Sequence, residues 1–244
     1  MTPFWVSGFL DLAPESHAVG LAFWRDVSGW EVSPARGDHG EFVTLVPPQG
    51  DAHVRVQRLE QGPSGMHLDL HVPDPRAAAD RAVSHGAVEV ADPGHVVLRS
   101  PGGFPFCFVS HPASHAAPAS AWPGGHRTLV DQVCLDIPAD VFDRELAFWL
   151  EVTGREPVPS IRPEFQRLRR PADQGLELLV QRLDDEGGEG GEVRAHLDLG
   201  CSDRAAETDR HLALGARHVE TYDAWTVLAD PTGSAYCITD RAPR

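Results

Sequence analysis

One long internal repeat runs through this sequence, so any fold proposed for it must be built twice from the same parts. GLAFWRDVSGWE from Gly20 returns as ELAFWLEVTGRE from Glu145, VQRL at Val56 returns at Val180, and HLDL at His67 returns at His196. VVLRSPGGFPFCFV from Val96 returns as TVLADPTGSAYCIT from Thr226. The displacement stays between 124 and 130 positions and the order never changes, which is the mark of tandem duplication with small insertions in loops. The acidic, Gly-rich DDEGGEGGE from Asp184 to Glu192 reads as one such insertion. A chain of 244 residues, 41% hydrophobic, is long enough to bury two cores of ordinary size. SHPASHAAPASAWPGGHR, from Ser110 to Arg127, has the Pro, Ala, Ser and Gly content of an ordered or semi-rigid linker. The expected division is a first domain over 1–110, a linker over 111–127 and a second domain over 128–244.

Each copy reads as strand, helix, two strands, and then the same again. The first helix follows Glu15 and carries Val19, Ala22, Phe23 and Val27 at the three- and four-residue spacing of a one-sided amphipathic helix. Asp74 is placed to cap a second helix, with Pro75 at its first position and Gly86 closing it; Asp203 and Gly215 repeat the signals in copy two. FVTLV, HVRVQRL and MHLDLHV are short and rich in β-branched or apolar residues, as strands are.

Charge and composition remove several classes of function. The formal net charge is −15 and every positive charge is an Arg, a balance opposed to phosphate-backbone binding, so no nucleic-acid partner is expected. No run approaches the ~18 apolar residues of a membrane span, and MTPFWVSGFLDLAPES has no leader pattern, so a cytoplasmic protein is expected. Cys107, Cys134, Cys201 and Cys237 form no CxxC pair and are expected as reduced thiols.

The ordered motifs, met twice, resemble the vicinal oxygen chelate superfamily of glyoxalases, bleomycin-resistance proteins and extradiol dioxygenases. Phe23-Trp24 and Phe148-Trp149 stand where those proteins often carry Phe-Tyr. Asp230-Pro231-Thr232-Gly233 resembles their Asp-Pro-x-Gly turn. VQRL followed by HLDL, a Gly-Ala after the second helix and a final aromatic-Cys is similar to a glyoxalase-like subgroup. The resemblance implies an α+β fold of four βαβββ modules forming two domains with cupped mixed sheets. It also implies cup positions at Ser7, Gln57, His67 and Cys107 in copy one, and at Gln132, Gln181, His196 and Cys237 in copy two. Only one histidine per cup remains of the usual His and Glu ligands, whereas a divalent ion is normally held by three or more imidazole or anionic donors. No cofactor is therefore expected and a divalent metal is disfavoured, although His, Cys and the adjacent Asp together still suit zinc. Pairing of modules across the copies instead of within them would mix the two sets without adding a Glu.

Residues i and i+2 of a strand share a face about 6.7 Å apart, so His67 and Asp69 point the same way, as do His196 and Asp198. A carboxylate beside an imidazole favours the imidazolium and makes each pair a candidate general acid or base. The competing reading is a structural polar pair at a module junction, which duplication would copy equally well. His71 extends copy one to HLDLH, while copy two has Gly200 there. Cys107 and Cys237 are candidate nucleophiles or small buried hydrophobes. Asp11 and Asp136 share parity with Ser7 and Gln132 and rank behind the His-Asp pairs. Trp24, Trp30 and Trp149 are expected in the core, Trp5, Trp122 and Trp225 in the core or along a ligand wall, and the linker histidines His111, His115 and His126 in solvent. Two functions follow: a binder of a small cationic or aromatic molecule, of the bleomycin-resistance type, or a metal-independent or degenerate metal-dependent lyase, isomerase or hydrolase working through a His-Asp pair; in a third, structural alternative one domain only completes or stabilises the other. Either suits a monomer or a homodimer.

Overall fold

A computed structural model describes residues 2–184 and 191–243, so most of the DDEGGEGGE insertion lies outside the described residues. Copy one contains β1 (Trp5–Leu12), α1 (His17–Ser28), β2 (Glu31–Val32), β3 (Phe42–Val46), β4 (Val54–Arg58), β5 (Gly65–His71), α2 (Pro75–Ser84), β6 (Val88–Ala91), β7 (Val96–Arg99) and β8 (Pro105–Val109). A short β9 (Ser120–Ala121) leads into copy two: β10 (Arg127–Ile137), α3 (Phe142–Thr153), β11 (Pro157–Val158), β12 (Phe165–Leu168), β13 (Glu177–Arg182), β14 (Arg194–Cys201), α4 (Arg204–Ala213), β15 (Arg217–Thr221), β16 (Trp225–Ala229) and β17 (Ala235–Thr239). The fold is α+β, with four βαβββ modules. One sheet has the order β2-β3-β4-β1-β5-β8-β7-β6, the other β11-β12-β13-β10-β14-β17-β16-β15 with β9 alongside β10. Both are mixed: β5 runs parallel to β8 and β14 to β17, while β7 and β16 are antiparallel to their neighbours.

Three strands follow each helix, where the hydrophobic pattern alone indicates two. The additional strands β2 and β11 are two residues long, and β6 and β15 are exposed throughout, so no buried alternation marks them. The caps behave as expected. Asp74 accepts from the Ala77 N–H at 3.0 Å and Asp203 from the Ala206 N–H at 3.0 Å, while Gly86 and Gly215 take φ of +102° and +105° beyond the helix ends. The buried stripe of α1 is Gly20, Phe23, Trp24 and Val27. Val19 is 47% exposed and Ala22 only half-buried, which corrects the expected face: the stripe turns toward Trp24, whose indole is the larger group to bury.

Two compact units emerge. Unit 1 comprises Met1–Gly8, Met66–Ser114 and Val133–Ala195; unit 2 comprises Phe9–Gly65, His115–Gln132 and His196–Arg244. Each unit therefore combines a module of one copy with a module of the other. In the core of unit 1, Phe106 packs edge-on against Phe148 and Trp149 at 5.8 and 5.4 Å. In unit 2 the equivalent Tyr236 packs against Phe23 and Trp24 at 5.9 and 5.1 Å.

The linker is ordered, and one of its histidines is buried. His126 is buried and its Nε2 lies 2.7 Å from the fully buried Glu207, correcting the expectation of a solvated side chain; β9 and β10 pair around the Gly125 turn and carry the ring inward. His111 and His115 are exposed, as expected. No helix among the described residues is long and apolar enough to cross a membrane.

Candidate functional site

Parallel pairing of the two central strands builds the same cluster in each unit. In unit 1, Asp69 on β5 stands directly opposite Cys107 on β8, and His67 lies two residues along the same face. His67 Nε2 is 3.8 Å from Asp69 Oδ1, and one donor atom from each of His67, Asp69 and Cys107 falls within 4.8 Å of the others. In unit 2, Asp198 on β14 stands opposite Cys237 on β17. His196 Nε2 is 3.3 Å from Asp198 Oδ1 and 3.5 Å from Cys237 Sγ, and the three donor atoms again lie within 4.8 Å. The imidazoles keep 12% and 15% of their side-chain surface exposed, while the carboxylates keep 7% and 5%. Each cluster is thus a partly accessible ring backed by a buried acid and a buried thiol.

Burial pushes the Cys237 thiol up to about 11, the Asp198 charge adds to the rise, and His196 offsets part of it. At neutral pH the sulfur keeps its proton, so the small-hydrophobe reading of Cys237 outweighs the nucleophile reading.

The remaining cup positions have other occupations. The Ser7 hydroxyl, fully buried on β1, lies 3.0 Å from His71 Nε2, and His71 Nδ1 donates to the His111 carbonyl at 2.8 Å. A carbonyl only accepts, so in the neutral ring Nε2 is the acceptor for Ser7. Gln57 is half-buried on β4 opposite Phe42, and Gln132 is buried on β10. Gln181 accepts from Cys134 Sγ at 3.8 Å, with Asp136 3.9 Å from the same sulfur. Asp11 is half-buried on β1. Trp5, Trp24, Trp30 and Trp149 are core, whereas Trp122 lies under the Arg210 guanidinium at 3.6 Å and Trp225 stacks on Tyr222 at 4.6 Å.

Sequence reasoning missed a buried charged network on α4. Glu207 is fully buried: desolvation pulls its carboxyl upward, but hydrogen bonds from His211 and Arg210 overcome this and hold it at about 2. The Tyr236 hydroxyl, 2.8 Å from His211 Nδ1, extends the network. Glu207 and His211 stand four residues apart on α4, a spacing visible in the sequence, but nothing local marks that face as buried.

Of the donor chemistry a metal needs, each cluster offers one nitrogen, one oxygen and one sulfur at ligand spacing. This set fits a borderline-soft divalent ion such as Zn²⁺ better than one that prefers an all-oxygen and imidazole shell.

The sequence profile of the glyoxalase-like domain matches residues 9–109 and again residues 132–239. No curated protein matches the chain by sequence. Among solved structures, a triple variant of 4-hydroxymandelate synthase from Streptomyces coelicolor is similar at 15% identity, covering 99% of this chain and 94% of that one with a TM-score of 0.64. A Mn(II)-bound glyoxalase from Novosphingobium aromaticivorans is similar at 18% identity, 98% and 81% coverage and a TM-score of 0.61. A 2,3-dioxygenase from Pseudomonas sp. KL28 is similar at 12% identity, 98% and 91% coverage and a TM-score of 0.64. At these identities the likeness is one of fold.

Proposed function

The chain belongs to the glyoxalase-like domain family, and from that premise we propose that it binds a small organic molecule at two sites, anchored by His67-Asp69 in unit 1 and His196-Asp198 in unit 2. The supporting observation is the repeated geometry: in each unit a partly accessible imidazole is held against a buried carboxylate on a central strand. An imidazole so placed donates or accepts one hydrogen bond, and the carboxylate behind it favours a cationic or N–H-bearing aromatic ligand. The net charge of −15 attracts the same class. Thermal-shift titration with a panel of organic cations and heteroaromatic amines tests the reading. Stabilisation by members of the panel, weakened by His67→Ala or His196→Ala, is the expected result. A panel without any stabilising member would sink it.

A second reading is favoured by the N, O and S donors within 4.8 Å of one another in each unit. His67, Asp69 and Cys107, and their counterparts His196, Asp198 and Cys237, would hold a divalent ion of zinc type. Bound there, such an ion acts as a Lewis acid toward a ligand oxygen. The chain's own part is to fix the imidazole on β5 or β14, to supply the charge of Asp69 or Asp198, and to surrender the thiol proton as the metal arrives. With no ion bound, the same His-Asp pairs would serve a lyase, isomerase or hydrolase as acid or base. Elemental analysis and Co²⁺ titration decide: a thiolate-to-cobalt absorption band, lost in the Cys107→Ser/Cys237→Ser double variant, is expected, and a cobalt spectrum indifferent to both cysteines would overturn this reading.

A further inference from the structure

The two copies differ at three positions in a way that only the observed pairing of modules reconciles. Trp24 on α1 and Trp149 on α3 are equivalent buried indoles, and each places its N–H on an acceptor, which spares the cost of a buried unsatisfied donor. In unit 2 the acceptor comes from the turn of the other module: Trp24 Nε1 donates to Asp230 Oδ2 at 3.0 Å, while Asp230 Oδ1 takes the Thr232 N–H at 2.8 Å and the Ser234 N–H at 3.1 Å. In unit 1 the acceptor comes from the helix itself: Trp149 Nε1 donates to Glu145 Oε1 at 3.1 Å, while Glu145 Oε2 takes the Gly102 N–H at 2.9 Å. Gly102 is the counterpart of Thr232, so one carboxylate does the same work at both junctions: it joins an indole to the turn before the last strand.

Only its origin has been exchanged. Unit 2 has Gly20 on the helix and Asp230 on the turn; unit 1 has Glu145 on the helix and Ser100 on the turn, where burial raises the Glu145 carboxyl and the Ser100 hydroxyl offsets part of the rise. The space is exchanged as well. A Cβ on Gly20 would meet Thr232 Cγ2 at 2.8 Å and Leu12 Cδ1 at 2.7 Å, so the helix yields where the turn carries a side chain. At the other junction, a Cβ on Gly102 would lie 2.5 Å from Val193 Cγ2 and 3.2 Å from Glu145 Cδ, so there the turn yields to the helix.

We infer that Gly20/Asp230/Thr232 and Glu145/Ser100/Gly102 form a pairing code by which each helix selects the turn of the other copy's module. The count of carboxylates carries the selectivity. Pairing across the copies gives one buried carboxylate per junction. Pairing within a copy would set Gly20 against Ser100, leaving the Trp24 N–H without a carboxylate acceptor, and Glu145 against Asp230, burying two like charges together. Duplication alone would have left both pairings equally good; the exchange removes one of them.

Two double-mutant cycles on the full chain test this by thermal melting. Ser100→Asp places a second carboxylate beside Glu145 and is expected to lower the midpoint by on the order of 10 °C. Glu145→Gln lowers the midpoint in the parent background but raises it in the Ser100→Asp background, because it removes one of the two charges. If Ser100→Asp alone does not fold, recovery of a folded protein on adding Glu145→Gln reads the same coupling. The control cycle, Glu145→Gln with Asp230→Ser, joins residues of different junctions and is expected to be additive. Additivity in the first cycle, coupling in the second, or a rise in midpoint for Ser100→Asp or Asp230→Ser alone overturns the proposal.

Discussion

Unit 1 and unit 2 hold the same three residues in nearly the same geometry and support them by different physics. In unit 1, strand β5 runs on from His67 and Asp69 to His71, a fully buried ring bonded to Ser7 and to the His111 carbonyl. In unit 2 the corresponding position of β14 is Gly200, because a Cβ there would meet Asp131 Oδ2 at 3.0 Å and the Arg241 carbonyl at 3.1 Å. Asp131 occupies that space, pairing with Arg241 at 2.7 Å and accepting the Gly200 N–H at 3.2 Å. One cluster rests on hydrogen bonds, the other on an ion pair. Duplication carried the cluster into both units while its surroundings diverged.

Carrying the unit 2 residue into unit 1 breaks the comparison most severely. His71→Gly removes a fully buried ring and leaves the Ser7 hydroxyl without its acceptor. Cavity and lost hydrogen bond together should cost about 3–5 kcal/mol in urea unfolding. A cost below about 1 kcal/mol would show that the ring is not the support of that strand. Arg241→Ala is the unit 2 counterpart. It takes the ion pair from Asp131, which is 2% exposed, at an expected cost of about 2–3 kcal/mol. The Arg241 side chain is 27% exposed, so added salt should narrow the gap between parent and variant. Salt should leave the His71→Gly deficit unchanged, and an equal response of both deficits would remove the distinction between the two supports.

The Cys237 thiol sharpens the comparison on a pH axis. Its folded value of about 11 lies above the ordinary 9.0, so between these values the folded state binds more proton than the unfolded state and stability falls as pH rises. The stabilisation is complete below pH 9 and is lost as pH approaches 11, a difference of about 2 kcal/mol. Unfolding of the parent and of Cys237→Ala across this range should therefore converge by about that amount as pH rises. A constant offset between them would mean that the thiol is solvated.

Much of this architecture is legible in the sequence, because duplication writes every strong signal twice. Asp74 and Asp203, Gly86 and Gly215, and the HLDL strands state caps, helix ends and central strands through local chemistry. What is not legible depends on which module meets which. The carboxylate on Asp230 and its replacement by Glu145 look like unrelated substitutions until Trp24 and Trp149 are seen to need the same acceptor. Gly200 reads as a weakened strand position until Asp131 and Arg241 fill the space beside it. His126 lies in linker composition, yet Glu207, far along the chain, draws it inward. Strand alternation could place His67, Asp69, His196 and Asp198 on shared faces, but not identify Cys107 and Cys237 as their direct partners, since that pairing rests on the register between β5 and β8 and between β14 and β17.

The smallest effect bears on function and on the same contrast. His67 and His196 are similarly accessible, at 12% and 15% of side-chain surface, but His196 is closer to its carboxylate, at 3.3 Å against 3.8 Å, and also faces the Cys237 sulfur at 3.5 Å. A ring held by two neighbours loses less freedom when a ligand engages it, and one already hydrogen-bonded has fewer valences left to offer. The first effect strengthens binding in unit 2 and the second weakens it. For a cationic ligand the first prevails, because the nearer carboxylate also makes the imidazole a stronger acceptor, a gain that is lost with the ring. His196→Ala should then weaken binding of the best cationic probe by about tenfold, or about 1.4 kcal/mol, and His67→Ala by less. Calorimetric titration of the two single variants and the double variant checks the order; a larger loss in His67→Ala would mean that free hydrogen-bonding capacity, not carboxylate proximity, ranks the two sites.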